Sequence, residues 1–76
     1  MIREHDRIVL TSDLPEQGLK AGDVGTVAHI HRKAQAFEVE FLTLSGETVA
    51  VATLLPSQVR AVGRREITHA RQLAGT

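Results

Sequence analysis

The alternation of apolar and polar positions is clearest in the segment AFEVEF, where Phe37, Val39 and Phe41 alternate with two glutamates. A period of two places successive side chains on opposite faces of a β-strand, so this strand has one buried face and one solvent-facing face. The two phenylalanines are the only aromatic residues of the chain and fall on the buried face. We therefore expect both to be core residues.

Four further runs of β-branched or apolar residues predict strands. They lie at residues 6–12 (DRIVLTS), 24–31, 48–54 (TVAVATL) and 59–62 (VRAV). The intervening segments are rich in turn-forming residues, with a long loop at SDLPEQG, a charged HRK turn, a hairpin turn at Gly46, and a tight 3₁₀ turn at Pro56 and Ser57. Small apolar residues on both faces of the fourth strand predict that it is covered on both sides.

The five strands, with one long early loop and a tight turn before the last strand, predict a small bent antiparallel barrel. The expected fold is all-β, a five-stranded SH3-like barrel over residues 1–62. Beyond it, residues 63–76 form a basic tail in which Ile67, Ala70, Leu73 and Ala74 recur at near-helical spacing and Gly75 is placed to end a helix. A short helix there has to dock on the barrel, dock on another chain, or fray.

Length, composition and charge narrow the function. The 76 residues make one small domain, and the absence of cysteine excludes disulfides, thiolate chemistry and zinc fingers and favours a cytoplasmic protein. The charged N-terminus does not resemble a secretory signal, and no segment approaches membrane-spanning length, so we expect no membrane contact.

Residues 1–62 carry six basic against eight acidic side chains, and residues 63–76 carry three against one. Such a balance lacks the broad positive surface of a nucleic-acid binder.

Three segments, RIVLTSDLPEQGLKAGDVGTVAHI, AFEVEF and TLLPSQVRAV, together resemble a family of short bacterial proteins catalogued as a domain of unknown function. The resemblance covers residues 7–62 and implies an SH3-like barrel. Some members lie beside toxin-like or nuclease-like reading frames, which implies an antitoxin or immunity role. More distantly, GLKAGDVGTVAHI is similar to the KOW motif, in which a glycine-bounded turn leads into a strand and helps hold RNA. KOW motifs normally lie among several basic residues, whereas here Lys20 stands beside Asp23 and Glu16.

The glycine-rich stretch around Asp23 has two interpretations. Its backbone N–H groups can cradle a phosphate, but a phosphate loop opens a helix and carries a Lys followed by Ser or Thr, whereas here a strand follows. The alternative is a structural corner formed by Gly18, Gly22, Asp23 and Gly25. There the glycines permit positive φ or close backbone approach, and the aspartate accepts N–H bonds of the turn.

His29 and His31 are two positions apart on a predicted strand, so their side chains share a face and can both reach a metal ion. Further ligands would have to come from His5, His69 or a carboxylate. The alternative is that both histidines simply face solvent. We expect no cofactor and no catalytic residue, since no nucleophile stands beside a positioned acid and a barrel of this size fills its interior with side chains.

Five basic residues form a candidate charged patch, and they are Arg32, Lys33, Arg60, Arg64 and Arg65. A run of charges is usually a solvated face, but such a patch can also contact phosphates. The apolar fourth strand and the tail supply the other candidate surface. The candidate partner-contact residues are therefore Lys20, Arg32, Lys33, Val49, Val51, Leu54, Arg64, Arg65, Ile67 and Leu73.

Two classes of function remain after these exclusions, with a third as a remote alternative. The first is a non-enzymatic interaction module that binds a protein partner, such as a toxin, or a second copy of itself. The second is a KOW-like module that contacts RNA or the ribosome through Lys20, Arg32, Lys33 and Arg64. The third is a small enzyme or metalloprotein that uses His29 and His31.

Overall fold

The structure is a computed structural model, and it describes residues 1–73. Five antiparallel strands form one sheet, and they are β1 (Arg7–Leu10), β2 (Val24–Ile30), β3 (Phe37–Leu42), β4 (Thr48–Leu54) and β5 (Val59–Ala61). Three 3₁₀ turns lie between them, at Pro15–Gln17, Arg32–Ala34 and Pro56–Gln58. No helix in the described residues reaches seven residues, and none is long and apolar enough to cross a membrane. The all-β class and the five strands are thus confirmed.

The strand order is β4-β3-β2-β1-β5, and the sheet is open. β4 and β5 are its two edges, and no ladder joins them within residues 1–73. The prediction of a closed barrel that removes the sheet edges is therefore not met. β5 follows the Pro56–Gln58 turn, is only three residues long and pairs with β1, where Val9 lies opposite Arg60. Within residues 1–73 it forms no second ladder that would join it to β4 and close the sheet.

The core lies against one face of this sheet. β3 alternates as expected, with Phe37, Val39 and Phe41 buried and the two glutamates between them only partly covered. Buried apolar side chains from the other four strands and from the first loop complete the core, and they are Ile8, Leu10, Leu19, Val27, Ala52, Leu54 and Val59. The hydrophobic effect of burying these side chains is the main source of stability.

β4 is not covered on both sides, contrary to expectation. Ala52 and Leu54 face the core, whereas Val51 on the opposite face is 55% exposed. Leu54 is only 1% exposed, so this residue is not available to a partner as predicted. Thr53 is exposed on the same face as Val51, so within residues 1–73 this face of β4 is open to solvent.

The tail also differs from the prediction, because residues 66–73 form no helix. Ile67 is 90% exposed and Ala70 is exposed, so the apolar stripe that a docked helix would need is not buried. A helix of this length without such burial is unstable in water. The predicted helix stop at Gly75 and the apolar position Ala74 lie outside the described residues. We call residues 62–73 the C-terminal strap.

The strap runs back across the outer face of the sheet. Val9, whose side chain lies on the face opposite the core, lines a shallow crevice with Val24, Val62 and strap residues 66–68. Val9 is buried although it does not belong to the core cluster. The strap therefore helps cover an apolar position on the outer face of β1.

Candidate interaction surface

The loop formed by residues 18–23, which we call the Gly18–Asp23 loop, is held by hydrogen bonds of its own. Asp23 Oδ2 accepts the Lys20 N–H at 2.8 Å, and Asp13 Oδ1 accepts the Ala21 N–H at 2.9 Å. Gly22 N–H donates to the Leu10 carbonyl, and Leu10 N–H donates to the Asp23 carbonyl. This is the structural corner anticipated from the sequence, with the aspartate accepting an N–H of the turn.

The glycines of this stretch serve two different purposes. Gly18 and Gly22 have φ of +72° and +97°, in the left-handed region that favours glycine. Gly25 does not, but it lies within the sheet opposite Ile8, where a Cβ would stand 2.5 Å from Val39 Cγ1. Gly25 is therefore needed for close approach of β2 to the side chains of β3.

Arg71 of the strap binds the Gly18–Asp23 loop in a geometry that the sequence did not predict. Its Nε and Nη2 donate to the two carboxylate oxygens of Asp23, at 2.8 and 2.6 Å, and Nη2 also donates to the Gly18 carbonyl at 3.0 Å. The Asp23 and Arg71 side chains are 18% and 30% exposed. Partial burial raises the pKa of Asp23, but the hydrogen bonds from Arg71 and Lys20 outweigh it and hold the pKa below its usual value.

A second ion pair fixes the start of the strap. Arg60 on β5 donates from both terminal nitrogens to the Glu66 carboxylate, at 2.8 and 2.6 Å, and the Gly63 N–H donates to the same carboxylate. These hydrogen bonds lower the pKa of Glu66 to about 2. The strap is thus tied to the sheet at both of its ends.

An open groove runs between the strap and the β3–β4 hairpin. It is lined by the Gly18–Asp23 loop, by hairpin residues that include Leu42, Leu44 and Val49, and by strap residues 68–73. Leu42 and Leu44 are exposed apolar side chains, while Val49 and Leu73 are half-buried. Two of the predicted partner-contact residues, Val49 and Leu73, therefore line one groove.

The two histidines lie together as predicted, but each is close to a carboxylate. The centroids of the two imidazole rings are 5.0 Å apart, and the ring planes are nearly perpendicular. His31 Nε2 hydrogen-bonds Glu38 Oε2 at 2.8 Å, and His29 Nδ1 is 3.4 Å from Glu4 Oε2. Within residues 1–73 no group of three or more metal-ligating side chains is gathered in a geometry that could hold a metal ion.

Glu38 is the centre of this outer-face cluster. Its Oε2 also accepts a hydrogen bond from Thr53 Oγ1 at 2.6 Å. The hydrogen bonds from Thr53 and His31 lower the pKa of Glu38. The cluster therefore links β2, β3 and β4 on the face opposite the core, since His29 lies opposite Glu38 and Glu38 lies opposite Thr53.

The basic residues do not form one patch. Arg32 and Lys33 lie in the turn after the C-terminal end of β2, whereas Arg60 lies beside Val9, whose partner Val24 begins β2. The two groups therefore lie near opposite ends of β2. Three more candidate contact residues, Lys20, Arg64 and Arg65, are exposed.

β4 offers an unprotected edge. Its backbone pairs with β3 on one side, regularly from Ala50 to Leu54, and no ladder lies on the other side within residues 1–73. The strand contains neither a charged residue nor a proline, the two features that usually protect an exposed edge. Val51, a predicted contact residue, is exposed on this strand, and Leu55 is exposed just beyond it.

Comparison with known proteins gives one match. The model of a family described as a domain of unknown function (DUF4926) matches residues 4–61. The match includes the Gly18–Asp23 loop and all five strands but not the strap. No curated protein and no solved structure matches the chain.

Proposed function

Since the chain belongs to the DUF4926 family, whose function is unknown, its role has to be inferred from its own surface. We propose that it is a non-enzymatic protein-interaction module that binds an extended segment of another protein chain along the edge of β4. The partner chain is a different protein or a second copy of this one. The order β4-β3-β2-β1-β5, with a 3₁₀ turn before β5, supports an SH3-like arrangement as the scaffold.

The single observation that carries the proposal is the bare edge of β4. An exposed edge presents unpaired N–H and C=O groups, and an added strand satisfies them while alternate side chains give specificity. β4 is seven residues long, uncharged and free of proline, and it carries an exposed Val51. The backbone of such a strand is therefore suited to pair with an added strand rather than to remain hydrated.

The polar side chains support a non-enzymatic role because they are engaged with one another. Asp23 is paired with Arg71, Glu66 with Arg60, and Glu38 with His31 and Thr53. The domain also lacks the excess of positive charge that attracts RNA phosphates, since residues 1–62 carry six basic against eight acidic side chains. We therefore favour a protein partner over RNA.

If the partner is a toxin encoded by the neighbouring gene, binding along β4 gives the antitoxin or immunity role that the family resemblance implies. We place the contact in the bacterial cytoplasm, which the absence of cysteine supports.

The test is the mass of the protein in solution, measured by light scattering, alone and with the product of the neighbouring gene. We expect a dimer or a complex. The Val51→Lys variant adds a charge to the edge and should dissociate it, since an edge lysine opposes strand addition. Ser57→Lys is the control, because it adds the same charge to the exposed turn after β4 and should leave the assembly intact. A strict monomer that ignores the neighbouring product would contradict the proposal.

A further inference from the structure

Arg71 binds the Gly18–Asp23 loop through its guanidinium group. We call the loop the receptor half of this contact and the strap that carries Arg71 the ligand half. One planar guanidinium makes three hydrogen bonds, two to the Asp23 carboxylate and one to the Gly18 carbonyl. Parallel hydrogen bonds from an arginine fork to a carboxylate are short and geometrically selective, and a lysine cannot reproduce them. The loop therefore recognises arginine in particular among cations.

The receptor half of this contact does not depend on the strap. Asp23 is oriented by the Lys20 N–H, and the turn that presents the Gly18 carbonyl is closed by backbone hydrogen bonds between Leu14 and Leu19 in both directions. Leu19 is buried in the core. The carbonyl and carboxylate that bind the guanidinium are consequently held in place before any arginine arrives, which reduces the entropic cost of binding.

The strap that supplies Arg71 is held by two ion pairs at the surface rather than by burial of its residues. Residues 64–72 are all exposed, and the match to the family covers the loop but ends at residue 61. The receptor is thus part of the domain that the family shares, while its occupant lies outside it. Next to the site, Leu73, two positions after the arginine, lines the open groove together with Leu42 and Val49.

We propose that the Gly18–Asp23 loop is a binding site for an arginine on an extended segment of a partner protein, with an apolar residue two positions later. In the isolated chain Arg71 occupies the arginine position in cis and Leu73 lies beside the groove, so the strap competes with the partner. The arginine position is formed by Gly18 and Asp23 and includes no residue of β4, although the groove beside it reaches the start of β4 at Val49. Arginine binding therefore does not depend on the contact proposed at the β4 edge.

The probe is a fluorescent peptide with the sequence of residues 62–73, VGRREITHARQL. We titrate it with the full chain and with the full-length Arg71→Gln variant, whose site is open. Because the tethered Arg71 occupies the site in the unmodified chain, the open variant should bind the peptide about three- to fivefold more tightly than the unmodified chain does. Equal binding by the two proteins, or no binding by the open variant, would overturn the proposal.

Two controls separate site recognition from general charge attraction. A peptide with Arg71→Gln should bind about three- to fivefold more weakly, whereas one with Arg65→Gln should bind as the parent does. Adding Asp23→Asn to the open variant keeps an oxygen that can accept the Lys20 N–H but removes the charge, and it should also weaken binding. If both peptides bind alike, or the Asn variant binds fully while its NMR spectrum shows the native fold, the site is not the one proposed.

The same measurement distinguishes this inference from the proposed function. Val51→Lys changes the β4 edge and should leave peptide binding by the Arg71→Gln variant unchanged. A change of more than about threefold would mean that the peptide binds along β4 and would contradict an independent site.

Discussion

Arg71 and Asp23 are 48 positions apart in the sequence and meet in a two-pronged ion pair, with Arg71 Nε and Nη2 each on a different carboxylate oxygen. This contact brings the C-terminal strap back to the first long loop of the domain. It explains how a segment of exposed residues, with no helix and no strand, has a defined path over the sheet. The path in turn covers Val9 on the outer face of β1.

Replacing Arg71 with glutamine should release the end of the strap, because the amide makes at most one of the charged hydrogen bonds. We expect the ¹H–¹⁵N heteronuclear NOE of residues 68–73 to fall markedly while that of the five strands stays unchanged. The free energy of unfolding should fall only slightly, since partly exposed ion pairs contribute little to stability.

Arg65→Gln is the matched control for this experiment, since Arg65 is an exposed arginine on the same strap. It removes one positive charge and should leave the NOE values as they are. A strap that remains equally ordered in the Arg71→Gln variant would show that other contacts hold it.

Acid should weaken the ion pair between Arg60 and Glu66, which is the first of the two anchors that hold the strap; the second is the ion pair between Arg71 and Asp23. The pKa of Glu66 is lowered from 4.5 to about 2 by the hydrogen bonds from Arg60 and Gly63. A carboxyl group with a lowered pKa binds protons more readily in the unfolded state. Its stabilising effect is therefore complete above pH 4.5 and is lost as the pH falls towards 2. The lowered pKa of Asp23 acts with the same sign at the second anchor.

An NMR titration of the Glu66 side-chain carboxyl carbon checks this expectation. The midpoint should lie near 2 in the unmodified chain and should move upward in the Arg60→Gln variant. Titration of Glu66 near 4.5 in the unmodified protein would mean that the ion pair with Arg60 is not formed in solution.

Gly25→Ala should be strongly destabilising. The added methyl group would lie 2.5 Å from Val39 Cγ1, 2.9 Å from Phe41 Cε1 and 3.0 Å from the Glu40 carbonyl oxygen, so β2 and β3 would have to separate. Overpacking of this kind costs about 1–3 kcal/mol, which urea unfolding monitored by circular dichroism measures directly.

Gly63→Ala is the control for the glycine experiment. The atom nearest to its added methyl group would be Glu66 Oε1 at 3.1 Å, at the end of a flexible side chain that can move. The urea midpoint should change by much less than in Gly25→Ala. Equal midpoints for the two variants would argue against close packing at Gly25.

The two faces of β4 should differ sharply in their response to truncation. Leu54→Ala removes a side chain that is 1% exposed and should cost about 2–5 kcal/mol in the free energy of unfolding. Val51→Ala, on the exposed face of the same strand, should cost about 0.5 kcal/mol or less in the monomer. Similar losses at both positions would mean that a partner or a second copy already covers Val51.

Much of the sheet could be predicted from local pattern. The alternation in AFEVEF placed Phe37 and Phe41 in the core, and turn-forming residues gave the positions of all five strands to within one or two residues at most ends. The hairpin turn at Gly46 and the 3₁₀ turn at Pro56–Gln58 were also predictable, because Gly and Pro restrict or permit backbone angles wherever they occur.

The tail shows where local pattern misleads. Ile67, Ala70 and Leu73 have the spacing of an amphipathic helix, yet Ile67 is 90% exposed and no helix forms. Spacing predicts a helix only if another surface buries the apolar stripe. The strap is instead held in a non-helical conformation in which Arg71 binds the Asp23 carboxylate of the Gly18–Asp23 loop.

The sequence by itself determined the period-two strands, the turns between them and the burial of the aromatic residues, because these follow from near-neighbour chemistry. Only the tertiary structure decided that, within residues 1–73, no strand covers the outer edge of β4, and that Leu54 points inward. It also decided that Asp23 binds Arg71, since no local signal selects one arginine among several for a carboxylate 48 positions away. Such pairings depend on where the folded sheet places each end of the chain.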